Sequence, residues 1–189
     1  QSVEILHEQL YSSLVLLRYN ALRGLNRLRH RRRDLSIPKD GIRELITIEA
    51  KGYYEIHSLA EAINAEKSDS RAEKLLLRAL GDRQKLRLEQ TFRLAGLIYP
   101  IDDMHNAYNG VISSVRTMRA RAIEYLDTVW GNLEKKHLFP ILEGNVRLDE
   151  AGRQLFKIPS MTRATVLHRL LSGDDAWLAA CAVVVSLFV

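Results

Sequence analysis

The chain contains few of the residues that interrupt helices and few that build cysteine-based sites. Among its 189 residues are four prolines, ten glycines and a single cysteine, Cys181. One cysteine excludes an internal disulfide and any zinc site built from several cysteines, and it fits a reducing compartment. Because proline and glycine are scarce, a helix can run through long stretches without interruption.

Two further patterns are missing from the sequence. No segment alternates apolar and polar residues as a half-buried strand does, and none reaches the roughly 20 apolar residues of a membrane-spanning helix. The nearest approach is the almost wholly apolar segment 176–189. We interpret it as a buried repeat helix rather than the start of a membrane span, because its polar turn and alanine spacing match an earlier segment.

The residues that are present favour a folded, helical protein. Hydrophobic residues make up 47% of the chain, which is enough for a sizeable core, and the charged fraction of 27% is ordinary. Leucine, alanine, arginine and glutamate dominate, and all four favour helix. We therefore predict an all-α fold. The net charge of +5 is mild, and much of it comes from one stretch.

Apolar periodicity predicts long helices within residues 3–99. The first covers 3–33, the second 39–65 and the third 71–99, which Gly81 divides in one interpretation. Apolar residues three or four positions apart predict a single buried stripe on the first helix, made of Leu10, Leu14, Leu17, Ala21, Leu25 and Leu28.

The predicted helices are shorter in residues 102–189. Their expected ranges are 103–114, 117–130, 133–143, 160–172 and 175–189. Asp102 or Asp103 is expected to cap the first of them, and Pro140 to kink or end the third. Residues 144–159 are predicted to be a long loop with one helical turn at 150–156.

One pattern occurs twice along the chain. Met118–Ile123 and Leu178–Val183 each open a helix-like apolar run, follow a short polar turn and are preceded by another amphipathic stretch. A helix, a tight turn and an alanine-rich second helix that recur in this way predict an α-helical repeat array. Such arrays usually bind partners and lack catalytic centres.

The most telling stretches for a family resemblance are Arg93–Pro100, Ala107–Gly110, Arg119–Asp127 and Leu170–Ala182. Together they resemble HEAT-type repeats. They are similar to the helical-repeat segment of large bacterial proteins whose other part resembles an ATP/ADP-carrier-like transporter. In some of these proteins a cyclic-nucleotide-binding domain follows the repeats. Ala179 departs from the pattern, which often has arginine at this place.

The resemblance implies a HEAT-like α-solenoid, that is, a superhelix of antiparallel helix pairs, and supplies no catalytic residues. We expect residues 1–189 to form a single helical-repeat domain. Because the chain begins at Gln1 without a signal-peptide pattern, we also expect it to be a piece of a longer multidomain protein.

The function implied is that of a non-enzymatic interaction or scaffold module. It would be the soluble, cytoplasmic regulatory or docking part of a transporter-like membrane protein, at the cytoplasmic face of the membrane. Its partner would be a protein or the neighbouring domains of its own parent chain. A fold does not by itself supply a function, so this remains an expectation.

Residues 18–33 contain a run of cations without any acid. The run comprises Arg18, Arg23, Arg27, Arg29, His30, Arg31, Arg32 and Arg33. On a helix, Arg23, Arg27 and Arg31 lie opposite Leu25, on the predicted solvent face. A guanidinium donates two parallel hydrogen bonds to a phosphate or carboxylate. The candidate contact for an anionic partner is therefore Arg23, Arg27, Arg31, Arg32 and Arg33.

The sequence leaves four interpretations of this run open. It could contact an acidic lipid surface, nucleic acid or an acidic protein. It could equally be a solvated helix face whose cations complement the dipole at the end of the helix. A nucleic-acid-binding helical repeat that uses residues 18–33 is the alternative function.

No catalytic, cofactor-binding or metal-binding residue is predicted. Two Glu-x-x-His pairs, Glu4 with His7 and Glu134 with His137, have the spacing of di-iron ligands in helical bundles. The second pair encloses two lysines and is expected to be exposed. A metal-dependent helical enzyme is therefore the remotest interpretation.

The remaining conspicuous residues have structural explanations. Asp174-Asp175 is expected to cap the last helix, and Cys181 to be an inert buried thiol. Trp130 and Trp177 are expected in packing contacts. The apolar residues of 176–189 occupy more of the helix surface than one neighbouring helix covers, so one side is expected to be exposed or to mediate self-association.

Overall fold

A computed structural model describes residues 2–12, 14–35, 37, 39–66, 70–144 and 147–187. Over these ranges the chain forms helices and no strand, which confirms the all-α class. The helices are α1 (Ser2–Gln9), α2 (Val15–Arg31), α3 (Lys39–Asn64), α4 (Arg71–Ile98), α5 (Ile101–Val111), α6 (Arg116–Val129), α7 (Asn132–Glu143), α8 (Leu148–Phe156), α9 (Arg163–Leu171) and α10 (Ala176–Leu187). The solenoid arrangement stays a prediction.

The chain divides into two compact units. Unit 1 consists of Gln1–Glu49 and Leu88–Glu143, and unit 2 consists of Ala50–Arg87 and Gly144–Val189. Each unit therefore takes part of α3 and part of α4, and each has its own buried residues.

In unit 1, the last three turns of α4 supply much of the core. Phe92 and the stretch 94–98 are buried, as their apolar character predicted. The Phe92 ring lies 5.5 Å from the ring of Trp130, which is also buried. Helices α1 and α2, α2 and α5, α5 and α6, and α6 and α7 pack against each other. The core therefore draws on distant parts of the sequence.

Helices α5 and α6 approach each other closely at Gly110. A Cβ atom at this position would lie 2.6 Å from the Cβ of Ala122. Real Cβ atoms do not approach so closely, so the contact requires glycine on α5 and a small residue on α6.

In unit 2, one apolar cluster joins four helices. It contains residues of α3 and α4 together with residues of α9 and α10: Leu59, Ile63, Leu76, Ala79, Leu80, Val166, Leu170, Leu178, Cys181, Ala182 and Val185. Cys181 lies in this cluster, and burial raises the pKa of its thiol. It is therefore buried, as predicted.

The predicted single helix 3–33 is wrong, because the chain breaks between α1 and α2. The hydroxyl of Ser12 accepts a hydrogen bond from the backbone N–H of Leu14, and its carbonyl accepts one from Arg18. Serine side chains offer the backbone an alternative to helical hydrogen bonds. Leu14 and Leu17, assigned to the buried stripe, are exposed, whereas Ala21 and Leu25 are buried as predicted.

Two predictions about α4 and α8 are also corrected. Helix α4 is continuous through Gly81, where glycine costs about 1 kcal/mol, because the buried Ala79 and Leu80 hold this turn in the core of unit 2. Helix α8 has nine residues rather than one turn. It buries Ala151 in unit 2 and ends at Lys157, whose φ of 57° is a left-handed helix end.

The predicted helix caps have mixed outcomes. Helix α5 begins after Pro100, so Asp102 and Asp103 lie in its first turn instead of capping it, where they still complement the helix dipole. Asp175 does cap α10, because its Oδ1 accepts the N–H groups of Trp177 and Leu178 at 3.1 Å each. Helix α7 does not end at Pro140 but continues to Glu143.

Helix α10 buries one side in unit 2 and leaves the other uncovered. Leu178 and Val185 are buried, whereas Trp177, Val184 and Leu187 are exposed. Trp177 is 52% exposed, so it is not a core residue. The uncovered side was predicted, although Phe188 and Val189 lie outside the described residues.

Candidate anion-binding face

Helix α2 has two faces of opposite character. Ala21, Leu22 and Leu25 point into unit 1 and are at most 4% exposed. At about 100° per residue, Leu16, Asn20, Arg23, Arg27 and Arg31 fall within an arc of about 80° on the opposite side. All five are exposed. The apolar side anchors the helix and thereby fixes the direction of the other.

The three outward arginines lie where the sequence predicts them. Arg23, Arg27 and Arg31 are exposed, and we call this set the cationic face. The guanidinium of Arg23 lies 5.6 Å from the centre of the Tyr19 ring one turn earlier. Helix α2 contains no acidic residue that would neutralise this face.

The other two candidate arginines are paired with carboxylates. Arg32 contacts Asp34 at 3.2 Å, and this hydrogen bond lowers the pKa of Asp34. Nη2 of Arg33 lies 2.8 Å from Oδ2 of Asp102, whose other oxygen lies 3.2 Å from Nδ1 of His30. Asp102 is on α5, so the sequence alone did not indicate this partner. The structure therefore separates the five candidates into two groups.

The remaining cations of the run make contacts inside unit 1. Arg29 donates to the carbonyl of Gly96 at 3.0 Å and to the carbonyl of Leu35, and Arg18 donates to Ser12. These arginines hold the two ends of α2 to the rest of the unit. Their role is structural.

Three leucines at the start of α2 are exposed, which the apolar periodicity did not predict. Leu14 is 65% exposed, Leu16 is 72% exposed and Leu17 is 39% exposed. We call these three residues the leucine cluster. The sequence could have predicted the exposure of Leu16, because Leu16 is separated from Arg23 and Arg27 by helical spacings and lies opposite the buried stripe.

A cleft of about 340 Å³ lies beside α2 in unit 1. Phe92 and Met104 are among the buried residues in its wall. Both carboxylates in its wall have partners there: Glu89 pairs with Arg93 at 2.6 Å, and Asp102 lies 3.2 Å from Nδ1 of His30. These pairings explain both carboxylates structurally.

The predicted exposure of the second Glu-x-x-His pair is wrong. Glu134 is 1% exposed and His137 is 8% exposed. The carboxylate of Glu134 accepts hydrogen bonds from Nε of Arg43 and from the Tyr99 hydroxyl, each at 3.1 Å. Burial lowers the pKa of His137. Because Arg43 lies far away in the sequence, spacing within α7 did not reveal this ion pair.

Within the described ranges, no three His, Cys, Asp or Glu side chains are placed to hold a metal ion.

No helix in the described part of the chain has both the length and the apolar character needed to cross a bilayer.

Comparisons with protein-family models, with curated proteins and with solved structures find no match for this chain.

Proposed function

We propose that this chain is a non-enzymatic interaction module that binds an anionic surface through the cationic face of α2. The observation that supports this most directly is the exposure of Arg23, Arg27 and Arg31 on one side of a helix that has no acidic residue. Guanidinium groups suit phosphate and carboxylate oxygens because they donate paired hydrogen bonds. The buried side of α2 holds them in place before a partner arrives.

The architecture we propose for this module is a HEAT-like α-solenoid. The recurring helix, turn and alanine-rich helix supports it, as do contacts between successive helices in α5 and α6, in α6 and α7, and in α9 and α10. In this proposal the module is the cytoplasmic regulatory or docking part of a transporter-like membrane protein. Its partners are proteins or neighbouring domains of the same parent.

The test is a charge reversal of the cationic face. The triple variant Arg23→Glu, Arg27→Glu and Arg31→Glu changes only exposed side chains, so folding is expected to remain within about 0.5 kcal/mol per site. Binding to anionic vesicles, DNA duplex and a polyglutamate peptide is measured at low salt. We expect the variant to lose at least a hundredfold in affinity for whichever anionic partner the unmodified chain binds. The reason is that each of the three cations contributes roughly 1 kcal/mol to such binding.

A matched control carries the same change in charge elsewhere. Arg71, Arg78 and Lys85 are exposed and seven residues apart on α4, in unit 2. Reversing them to glutamate is expected to weaken binding far less. If the unmodified chain ignored all three anions at low salt, or if both triples weakened binding equally, the cationic face would be only a solvated helix surface.

The alternative function, nucleic-acid binding, has its own signature in the same experiment. Three phosphate contacts predict that affinity for duplex DNA falls with a log–log salt slope of about −2.7. Binding to DNA in preference to vesicles and peptide, lost on reversal of the cationic face, would establish that alternative.

A further inference from the structure

The leucine cluster lies at the start of α2, and the cationic face follows it along the same helix. Leu16 is in the arc of the cationic face. At about 100° per residue Leu17 lies about 40° beyond the edge of that arc, and Leu14 is the exposed N-cap residue that precedes the helix. Several exposed apolar side chains within one helical turn mark a contact surface more often than single exposed leucines do. The outward side of α2 is therefore apolar at its beginning and cationic from its middle to its end.

This order of side chains matches one class of anionic partner better than the others. A DNA duplex offers phosphates to the arginines and no apolar region at the position of the leucines. An anionic bilayer offers both, because its phosphates lie above the hydrocarbon into which leucines partition. Leu16 and Arg31 are separated by roughly 22 Å along the helix, so α2 has to lie along the surface to use both.

We infer that the leucine cluster and the cationic face dock together on the surface of an anionic lipid bilayer. This inference rests on the proposed function and names the partner of the same face. The leucines enter the boundary between headgroups and acyl chains, and the arginines contact lipid phosphates. The inward side of α2 keeps its contacts with unit 1, so docking requires no unfolding.

The experiment measures sedimentation of the chain with vesicles of phosphatidylcholine alone and of phosphatidylcholine with one-third phosphatidylserine. Duplex DNA and inositol hexakisphosphate serve as soluble phosphate ligands. The test variant is Leu14→Ser, Leu16→Ser and Leu17→Ser. Serine is a favourable residue at the helix N-cap, which Leu14 occupies, so the variant is expected to fold.

A matched control replaces three exposed apolar residues of unit 1 that lie outside α2: Ile48→Ser, Ile112→Ser and Leu133→Ser. We expect the chain to prefer the phosphatidylserine vesicles at least tenfold over phosphatidylcholine vesicles. The affinity of the leucine variant for these vesicles should fall roughly tenfold or more, because serine buries less apolar area at the boundary between headgroups and acyl chains. The control should bind as the unmodified chain does, and soluble phosphate binding should be the same in all three.

Two results would overturn the inference while leaving the proposed function intact. One is that the leucine variant binds phosphatidylserine vesicles as tightly as the control. The other is that the chain binds DNA, hexakisphosphate or an acidic peptide through the cationic face and ignores the vesicles. If instead reversal of Arg23, Arg27 and Arg31 changes binding to none of these ligands, the proposed function fails together with this inference.

Discussion

The inward sides of α2 and α10 are alike, but their outward sides differ. Leu25 of α2 and Val185 of α10 are both at most 1% exposed, so each helix is anchored in its own unit by burial. Outward, α2 presents arginines, whereas α10 presents Trp177, Val184 and Leu187 and has no charged residue among its 12 residues. The same anchoring thus supports two surfaces with different chemistry.

Because of this difference, added salt should have opposite effects on contacts made by the two surfaces. Contacts made by the cationic face are electrostatic and are screened as ionic strength rises. Contacts made by α10 depend on the burial of apolar area, which salts such as sulfate strengthen. A single salt series therefore assigns a given association to one helix or to the other.

Two arginines, one in each unit, have opposite roles, and this contrast predicts the largest effect. In unit 2, Arg163 is buried and forms an ion pair with the buried Glu73. The variant Arg163→Met leaves a carboxylate buried without its partner and should lower the free energy of unfolding by about 3–5 kcal/mol. Arg27→Met in unit 1 changes an exposed side chain and should stay within about 0.5 kcal/mol. Urea denaturation measures both.

A second substitution checks the cause of that effect. Adding Glu73→Leu to Arg163→Met removes the uncompensated charge, so it should recover most of the lost stability. Equal destabilisation by Arg163→Met and Arg27→Met would contradict the assignment of the two arginines to different roles.

The outward side of α10 predicts a change in association rather than in stability. If this side mediates contact between copies of the chain, Trp177→Glu should weaken that contact at least tenfold, which is about 1.4 kcal/mol. An acid in the first turn of α10 suits the helix dipole, so folding is preserved. Light scattering across concentration measures the size. A chain that stays monomeric at all concentrations, also in sulfate, would show that this side does not bind a second copy.

Asp102 predicts a smaller effect in the opposite direction. The Asp102 carboxylate pairs with Arg33 and lies beside His30, near the end of α2 and close to the cationic face. Asp102→Asn removes one negative charge and releases Arg33, so affinity for anionic vesicles should rise about fivefold, or roughly 1 kcal/mol. Vesicle titration at low salt measures it, and Asp34→Asn, which releases Arg32 in the same way, should give a similar rise. Weaker binding by Asp102→Asn would mean that Asp102 positions Arg33 for the anionic surface instead of competing for it.

The smallest effect concerns pH. The hydrogen bond from Arg83, 2.6 Å from Nε to Oδ2, lowers the pKa of Asp175 in the folded chain. In the unfolded chain the pKa of this carboxyl is about 3.9. The contribution of the Arg83–Asp175 pair to stability is therefore complete above about pH 3.9 and is lost as the pH falls through the lower pKa of the folded chain. At one-third exposure we expect about 0.5–1 kcal/mol.

The variant Asp175→Asn keeps a residue that caps helices well but cannot carry the charge. Urea midpoints of the two proteins should therefore differ at pH 7 and converge near pH 2. A difference that is the same at both pH values would indicate that the cap, and not the charge, accounts for the contribution of Asp175.

Local patterns were sufficient for much of the fold. The apolar steps in 39–65 predict α3 to within one residue at its end, and the cap at Asp175 is explained by residues next to it. The break before α2 was missed because leucines continue at helical spacing across it, whereas local hydrogen bonds from Leu14 and Arg18 to Ser12 accompany the break. Gly81 is a weak interruption when its neighbours are buried.

The candidate site shows the same division between local and distant causes. Helical spacing alone places Arg23, Arg27 and Arg31 on one outward face. Helical spacing cannot show that Arg33 pairs with Asp102 or that Glu134 pairs with Arg43, because those partners are 69 and 91 residues away in the sequence. Contacts of that kind depend on packing, which periodicity does not describe.

The burial of Cys181 has a practical consequence for the study of folding. The only thiol of the chain lies in the core of unit 2, so its rate of labelling reports how often that core opens. Trp130 lies in the core of unit 1, and its emission reports on that unit, while the half-exposed Trp177 already contacts water. Thiol labelling and fluorescence recorded at one urea concentration would thus time the opening of each unit separately, without any engineered probe.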